Sequence, residues 1–331
     1  MRPGALASRP MARLEIHPFD AGHLDDAARL LVARHAAQRL GEPSLPAAYE
    51  GLDVARAAVE ELLTADSSGT VATRGDEVVG YLLGTPREDR TWGPNAWVEG
   101  AGHAVEQAED VRDLYAAAAA RWFEEGLTSH YALVPAGDAP LVDAWFRLGF
   151  GQQHVHAVRE APASALARVP DGIEIRRPTR DDIDALSELE LALPAHQQRS
   201  PVFSALPPES FEEVRAEWEE DFDNPVYATF VAVVDGRVVG SAIGCSVTVS
   251  GSNKGILRPD DAGFLGFAAV RPEARGAGIG KVLGATVLDW AAAEGYSAVV
   301  TDWRATNLLS SRTWPQLGWR PTFLRLHRAI A

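Results

Sequence analysis

The chain has 331 residues, 46% of them apolar and 23% charged, which excludes a disordered or collagen-like protein and gives length for about two domains. Its single cysteine, Cys245, permits neither an intramolecular disulfide nor a cysteine-rich zinc cluster, and no metal site is expected. A formal net charge of −15 without any basic run leaves no footprint for a nucleic acid; it is compatible with a cationic or amine substrate.

The elements, in chain order, are written twice. The first 19 residues have no continuous apolar core, so no secretory signal is expected and a cytoplasmic location follows. A short strand at Leu14-Glu15-Ile16 leads into an amphipathic helix over 20–38, a second helix over 54–63, and a hairpin turning at Gly75-Asp76. A third strand, a long alanine-rich helix over 111–125, a short strand, a last helix and a terminal strand close the unit. The same order returns from Ile173-Glu174-Ile175. The helices fall at 179–193 and 208–220, the turn at Asp235-Gly236, and the long helix at 277–293. The repeat is offset by about 160 residues, far too long for a solenoid. It is one domain duplicated: 12–160, a linker at 161–171 (APASALARVP inside it), then 172–331. Alternating strands and helices at the close of each unit predict partly parallel sheets, hence an α/β fold of two mixed-sheet domains side by side. The longest apolar stretch, 262–270, suits one buried strand and falls short of the ~18 residues needed to span a bilayer, so no membrane partner is expected.

The sharpest motif follows that strand: VRPEARGAGIGKVL, in which Arg275-Gly276-Ala277-Gly278-Ile279-Gly280 runs into a helix. The first turn of a helix offers unpaired N–H groups and a positive dipole end. Glycines at 276, 278 and 280 remove the Cβ atoms that would hold a phosphate away, and Arg275 adds a charge-assisted contact. A Walker loop would need glycine at Arg275 and a hydroxyl residue at Val282, and a dinucleotide fingerprint would need glycine at Lys281.

This segment resembles the central motif of the GCN5-related N-acetyltransferases, R/Q-x-x-G-x-G/A after a strand. Further on, Asn307, Ser310, Trp314, Gly318 and Trp319 stand in register with that family's later motif. The resemblance covers 172–331 well and 12–160 weakly. It implies acetyl-CoA as co-substrate: Ala268, Ala269 and Val270 pairing through their backbones with the pantetheine arm, Arg275, Gly276, Ala277, Gly278, Ile279, Gly280 and Lys281 holding the pyrophosphate, and Asn307 bonding the arm near the sulfur. The acceptor expected is a small-molecule amine attacking the thioester directly, with a monomer or homodimer as the assembly. A protein or peptide amine, a non-catalytic CoA-binding module and a nucleotide-binding loop are the alternatives.

Aligning Val105 with Val270 sets Asp110 against Arg275, Val111 against Gly276, Asp113 against Gly278 and Tyr115 against Gly280. The first copy therefore loses the cradle and is expected to act as a scaffold. For the chemistry, Trp314 occupies the position where the family usually has a proton-donating tyrosine, and an indole cannot deliver a proton at neutral pH. Either the thiolate leaves unassisted, or another group serves, with Ser310, one turn before Trp314 on the same helical face, as the candidate beside Trp314 itself. Asp302, in AVVTDWRATN, is the expected base, with pairing to Arg304 as its structural alternative. Glu188, Glu190 and His196 are secondary candidates. Cys245 is expected to be a core residue.

Overall fold

The computed structural model describes residues 13–89, 92–204 and 209–330; the leader before Arg13 and the start of the helix expected at 208 lie outside them. In the first repeat the elements are β1 (Leu14–Pro18), α1 (Leu24–Gly41), α2 (Leu52–Glu60), β2 (Ser68–Arg74), β3 (Glu77–Asp89), β4 (Gly93–Val98), β5 (His103–Val105), α3 (Asp110–Glu124), β6 (Ser129–Pro135), α4 (Ala139–Arg147) and β7 (Gly151–Glu160). The second has β8 (Ile173–Arg176), α5 (Ile183–Gln197), α6 (Phe211–Asp221), β9 (Ala228–Val234), β10 (Arg237–Ser246), β11 (Ala262–Val270), α7 (Ile279–Ala293), β12 (Ala298–Arg304), α8 (Leu308–Thr313) and β13 (Arg320–Ala329).

The local chemistry explains the boundaries. Ser210 caps α6 reciprocally with Glu213, and Asp20 and Thr179 form the equivalent boxes ahead of α1 and α5. The Gly75 and Gly236 turn residues take positive φ, as tight hairpins require.

The two units do not sit as separate sheets. They share one mixed sheet, in the order β1-β2-β3-β4-β6-β13-β7-β12-β11-β10-β9-β8, with β5 pairing beside β3. The terminal strands are exchanged. β13, from the second repeat, pairs with β6 of the first, and β7, from the first, pairs with β12 of the second. β7 and β13 also pair with each other. Side-by-side packing is thus replaced by strand exchange, because each repeat's inner edge takes its antiparallel partner from the other copy. Arg320 clamps the junction by bonding Glu42 at the end of α1 and Glu160 at the end of β7. The linker is tied down as well: Leu166 and Ala167 donate their N–H groups to Asp289 on α7 at 2.7 and 2.9 Å.

On one face of the sheet, α3 and α7 bury a single apolar cluster that includes Leu114, Trp122 and Trp145 of the first repeat and Leu283, Val287 and Trp303 of the second. On the other face, α1 and α2 cover a core around Leu31, Val59 and Tyr81, into which Ile256 and Leu257 reach from the second repeat. α5 and α6 cover Leu186, Leu189 and Val231.

The duplication is written into packing. In each copy a strand glycine lies flat under a tryptophan of the long helix: Gly84 under Trp122, Gly244 under Trp290. A Cβ at Gly244 would stand 2.6 Å from the Trp290 ring. Gly244→Ala is therefore expected to destabilise the protein by about 1–3 kcal/mol through overpacking, read as a lower midpoint in urea denaturation. Substitution without loss of stability would show that α7 shifts freely on the sheet.

Candidate active site at the splayed strands

β11 and β12 are parallel, but their pairing runs only from Ala262↔Ala298 to Leu265↔Thr301. Beyond it the strands diverge, and the backbone from Phe267 to Val270 has a partner only on the β10 side, Gly266 being skipped at a bulge. A cleft of about 390 Å³ opens in the fork. Its walls are Ala268, Ala269 and Val270 of β11, the loop and first turn before and in α7, α8 with Asn307, and Ala192, Leu193 and His196 of α5. Arg275, Gly276, Gly278, Ile279, Gly280, Lys281, Ser310 and Trp314 all line it; Ala277 lies in the same loop without lining it.

The loop geometry follows from its glycines. Gly276 and Gly278 have φ of 89° and 82°, the left-handed region that a side chain disfavours, and Gly278 is the N-cap of α7. Gly280 has no such need, and a Cβ there would meet nothing closer than Val270 at 3.8 Å. Among the described residues no main-chain bond is made by the N–H groups of 276–281; the first closes from Val282 to Gly278 at 3.0 Å. Arg275 is held by its Nε, which donates to the Val270 carbonyl at 3.1 Å. The result is a concave row of free donors beside a cation, a geometry made for a phosphate group.

Asn307 is buried and caps α8, its Oδ1 accepting from Leu309 N at 3.2 Å; His196 Nε2 lies 3.4 Å from the same oxygen. Trp314 is 7% exposed, set edge to face against Trp319 and so close to Gly284 that a Cβ there would lie 2.8 Å from its ring. It forms the floor of the cleft by packing.

Asp302 does not join this group. It is not among the residues lining the cleft; its carboxylate accepts from His154 at 2.9 Å, Ser252 at 2.8 Å and Asn253 at 2.7 Å. Burial opposes its ionisation, but His154 and these hydrogen bonds outweigh it and hold the carboxyl well below the usual range. A carboxylate engaged by three donors and set outside the cleft is poorly placed to receive an incoming ammonium, so its expected role as base is not supported by the geometry. Nor does it pair with Arg304, which lies over the Trp92 ring instead. The secondary candidate His196 is the one that reaches the cleft. Glu188 is tied to Arg271, and Glu190 accepts from Trp218 at 2.6 Å. The signal for His196 in the sequence was its place at the end of the first helix of the repeat; nothing there marked its approach to Asn307.

The first repeat shows what closes such a fork. Gly80 pairs with Val105 as Gly240 pairs with Val270, which fixes the alignment of the copies. There α3 begins at Asp110, five residues after Val105, whereas α7 begins nine residues after Val270, so the cradle loop is missing. Asp110 is buried in an ion pair with Arg74 at 2.6 Å. His103 stands where the second copy has Ala268, and its Nε2 bonds the Leu133 carbonyl across the fork at 2.9 Å. Arg34 of α1 donates to the carbonyls of His103 and Gly100. Trp145 packs edge-on to His103. The fork is filled by its own side chains, an obstacle to a ligand beyond the charge repulsion expected from Asp110 and Asp113.

Cys245 is buried, and burial pushes its thiol up to about 11. With so little thiolate at pH 8, the native protein is expected to leave a disulfide reagent such as DTNB unreacted, while the unfolded chain titrates one thiol. Rapid reaction of the folded protein would contradict the packed assignment.

Residues 192–319 match the Acetyltransferase (GNAT) family. No curated protein sequence matches the chain. Among solved structures, a GCN5-related N-acetyltransferase from Sphaerobacter thermophilus is similar at 16% identity, with 96% of this chain and 95% of that one covered and a TM-score of 0.57. The glucosamine N-acetyltransferase region of a fungal multi-domain GH3 beta-N-acetylglucosaminidase is similar at 18% identity, covering 96% of this chain and 38% of that one, with a TM-score of 0.52. These likenesses extend the shared fold across both repeats, including the first copy that the family match leaves out. Residues 192–319 thus form a GNAT acetyltransferase domain within the second repeat, and the fold shared with the solved structures extends over both repeats.

Proposed function

We propose that the protein transfers an acetyl group from acetyl-CoA to the amine of a small molecule, and that the second repeat alone does so. The boundaries that go with this reading are 12–160 for the inactive copy, 161–171 for the linker and 172–331 for the working domain. The observation that carries it is the open fork between β11 and β12, set against the filled fork between β5 and β6. A thioester arm threaded into the open fork would add as a strand along Ala268–Val270. Its pyrophosphate would meet the free amides of 276–281, Arg275 and Lys281. Glycine at 280 has no intramolecular cause, which supports a ligand approaching the backbone there.

Direct attack needs a deprotonated amine held in line with the carbonyl. His196 is the titratable group in the cleft suited to receive that proton. Ser310, on α8, is the hydroxyl available to the leaving sulfur; Trp314 shapes the floor. For the acceptor, a recess of about 250 Å³ between α5, α6 and the sheet is lined by Glu190, Glu217 and Asp221 together with Trp218, Phe222 and Tyr227. Three carboxylates and three aromatic rings suit a cationic amine. The recess also includes Ile243, which pairs with Phe267, next to Ala268 of the fork. Among the described residues no helix is long and apolar enough to cross a membrane, and we place this reaction in the cytoplasm.

Calorimetric titration of acetyl-CoA tests the reading. Expected is one site per chain, lost in Gly278→Glu, which both strains the N-cap and fills the cradle, and unchanged in Asp113→Gly. Two sites, or binding that survives Gly278→Glu, would refute it. Against a panel of small amines, His196→Ala is expected to lower kcat by about 10²–10⁴-fold while acetyl-CoA affinity stays near wild type. An unchanged kcat would remove His196 from the mechanism. CoA binding with no turnover on any amine would favour a regulatory module.

A further inference from the structure

The exchange of strands creates a second cavity, of about 370 Å³, that belongs to neither fork. Its walls come from both copies: α2 and the segment before it, β3 and β4 from the first, the 251–257 loop from the second, and the exchanged strands β7 and β13. Two buried polar side chains line it. His156 is 2% exposed; its Nδ1 lies 3.0 Å from Asn253 Oδ1, while its Nε2 has no partner. The tautomer follows from the neighbours. Asn253 donates its Nδ2 to Asp302 at 2.7 Å, so its Oδ1 is the acceptor and His156 Nδ1 carries the hydrogen. Nε2 is then a bare lone pair in the cavity wall, in an imidazole that burial keeps neutral.

Arg325 is the other group. It is 8% exposed, donates its Nε to Gln153 at 2.8 Å and lies against the Trp92 and Trp97 rings, yet it forms no ion pair among the described residues. Ring faces offset only part of the cost of burying an unpaired guanidinium. The other charges around the cavity do not complete that pairing. Arg87 and Glu99 satisfy each other. Lys254 and Glu61, both exposed, balance at the rim, which leaves the Arg325 charge unmatched inside. Asp302 contributes from beneath, with its carboxylate already bonded to His154, Ser252 and Asn253 and no ion pair to Arg325. Ile256, Leu257 and Leu133 supply an apolar wall.

We propose that this cavity binds a small organic carboxylate that also carries an O–H or N–H donor: the carboxylate pairs with Arg325 and the donor bonds His156 Nε2. Phe323 is the register partner of His156, so Arg325 lies two residues along the adjacent strand and both groups serve one small molecule. Since the Asn253–Asp302–Ser252 chain under His156 belongs to the second repeat, a ligand here would be sensed by both copies at once.

The test is calorimetry on the full chain with L-lactate, 3-hydroxybutyrate and L-alanine as probes, and propionate and butyrate as the matching acids without a donor. At least one donor-bearing acid is expected to bind one site per chain, with its donor-less match weaker by about tenfold, the loss of one buried hydrogen bond. Arg325→Gln is expected to abolish the heat. Should that variant misfold, wild-type protein labelled with ¹⁵N-histidine still decides: His156 Nε2 must shift on saturation with the bound acid. Absence of binding by all three donor-bearing acids, equal binding of the donor-less ones, or an unmoved Nε2 signal would overturn the proposal. Acetyl-CoA binding is measured on the same sample, so failure here is separable from failure of the fork as a coenzyme site.

Discussion

β7 and β13 hydrogen-bond to each other at the middle of the sheet, and each joins the penultimate strand of the opposite copy. Every other feature depends on that crossing. A parallel pair that splays, as β11 and β12 do, leaves its outer strand in need of a firm partner on the other side. Here that partner comes from the other repeat. The fork can open to a ligand without loosening the sheet because β12 is held along its whole length by β7. The first copy contributes to the site in this structural sense, although it holds no cradle of its own.

The two forks hold equivalent places in the repeats and differ in the side chains that face the gap and in the length of the loop before the long helix. Ala268 leaves the gap beside β11 empty; His103 in its place bonds across to β6, and Arg34 takes the carbonyls that would otherwise face outward. The gap is closed by internal satisfaction of the backbone. An unpaired strand edge must find water, a ligand or a side chain. The first repeat uses the side chain, and the second leaves the edge open.

Polar groups in the middle of the sheet obey the same accounting. Asp302, His154, His156 and Asn253 come from both copies and bond one another in a network that leaves two ring nitrogens unpartnered, His154 Nδ1 and His156 Nε2. The residue that looked like a catalytic base from its strand position is instead the anchor of that network. The spacing of AVVTDWRATN fixes which face Asp302 occupies; it cannot say that β7, brought from the other repeat, will set two histidines opposite it.

Sequence alone determined the elements and the cradle, since both are local. Apolar periodicity and the turn residues act within a few residues, so the first, second and long helices of each repeat and the two hairpins could be placed from them, and the last helix of each by its order. Gly276 and Gly278 reveal the phosphate-shaped loop because their backbone angles demand glycine wherever they occur. The duplication itself was legible in Val-Val-Gly at 78–80 and 238–240. What only the tertiary structure decided are matters of long-range pairing: which copy's strand completes which edge, whether Asp302 or His196 faces the cleft, and the cavity walled by both repeats. Units with the same order of elements carry similar strand patterns, so pattern alone does not say which terminal strand completes which edge. The choice is made by connectivity and by side chains more than a hundred residues apart.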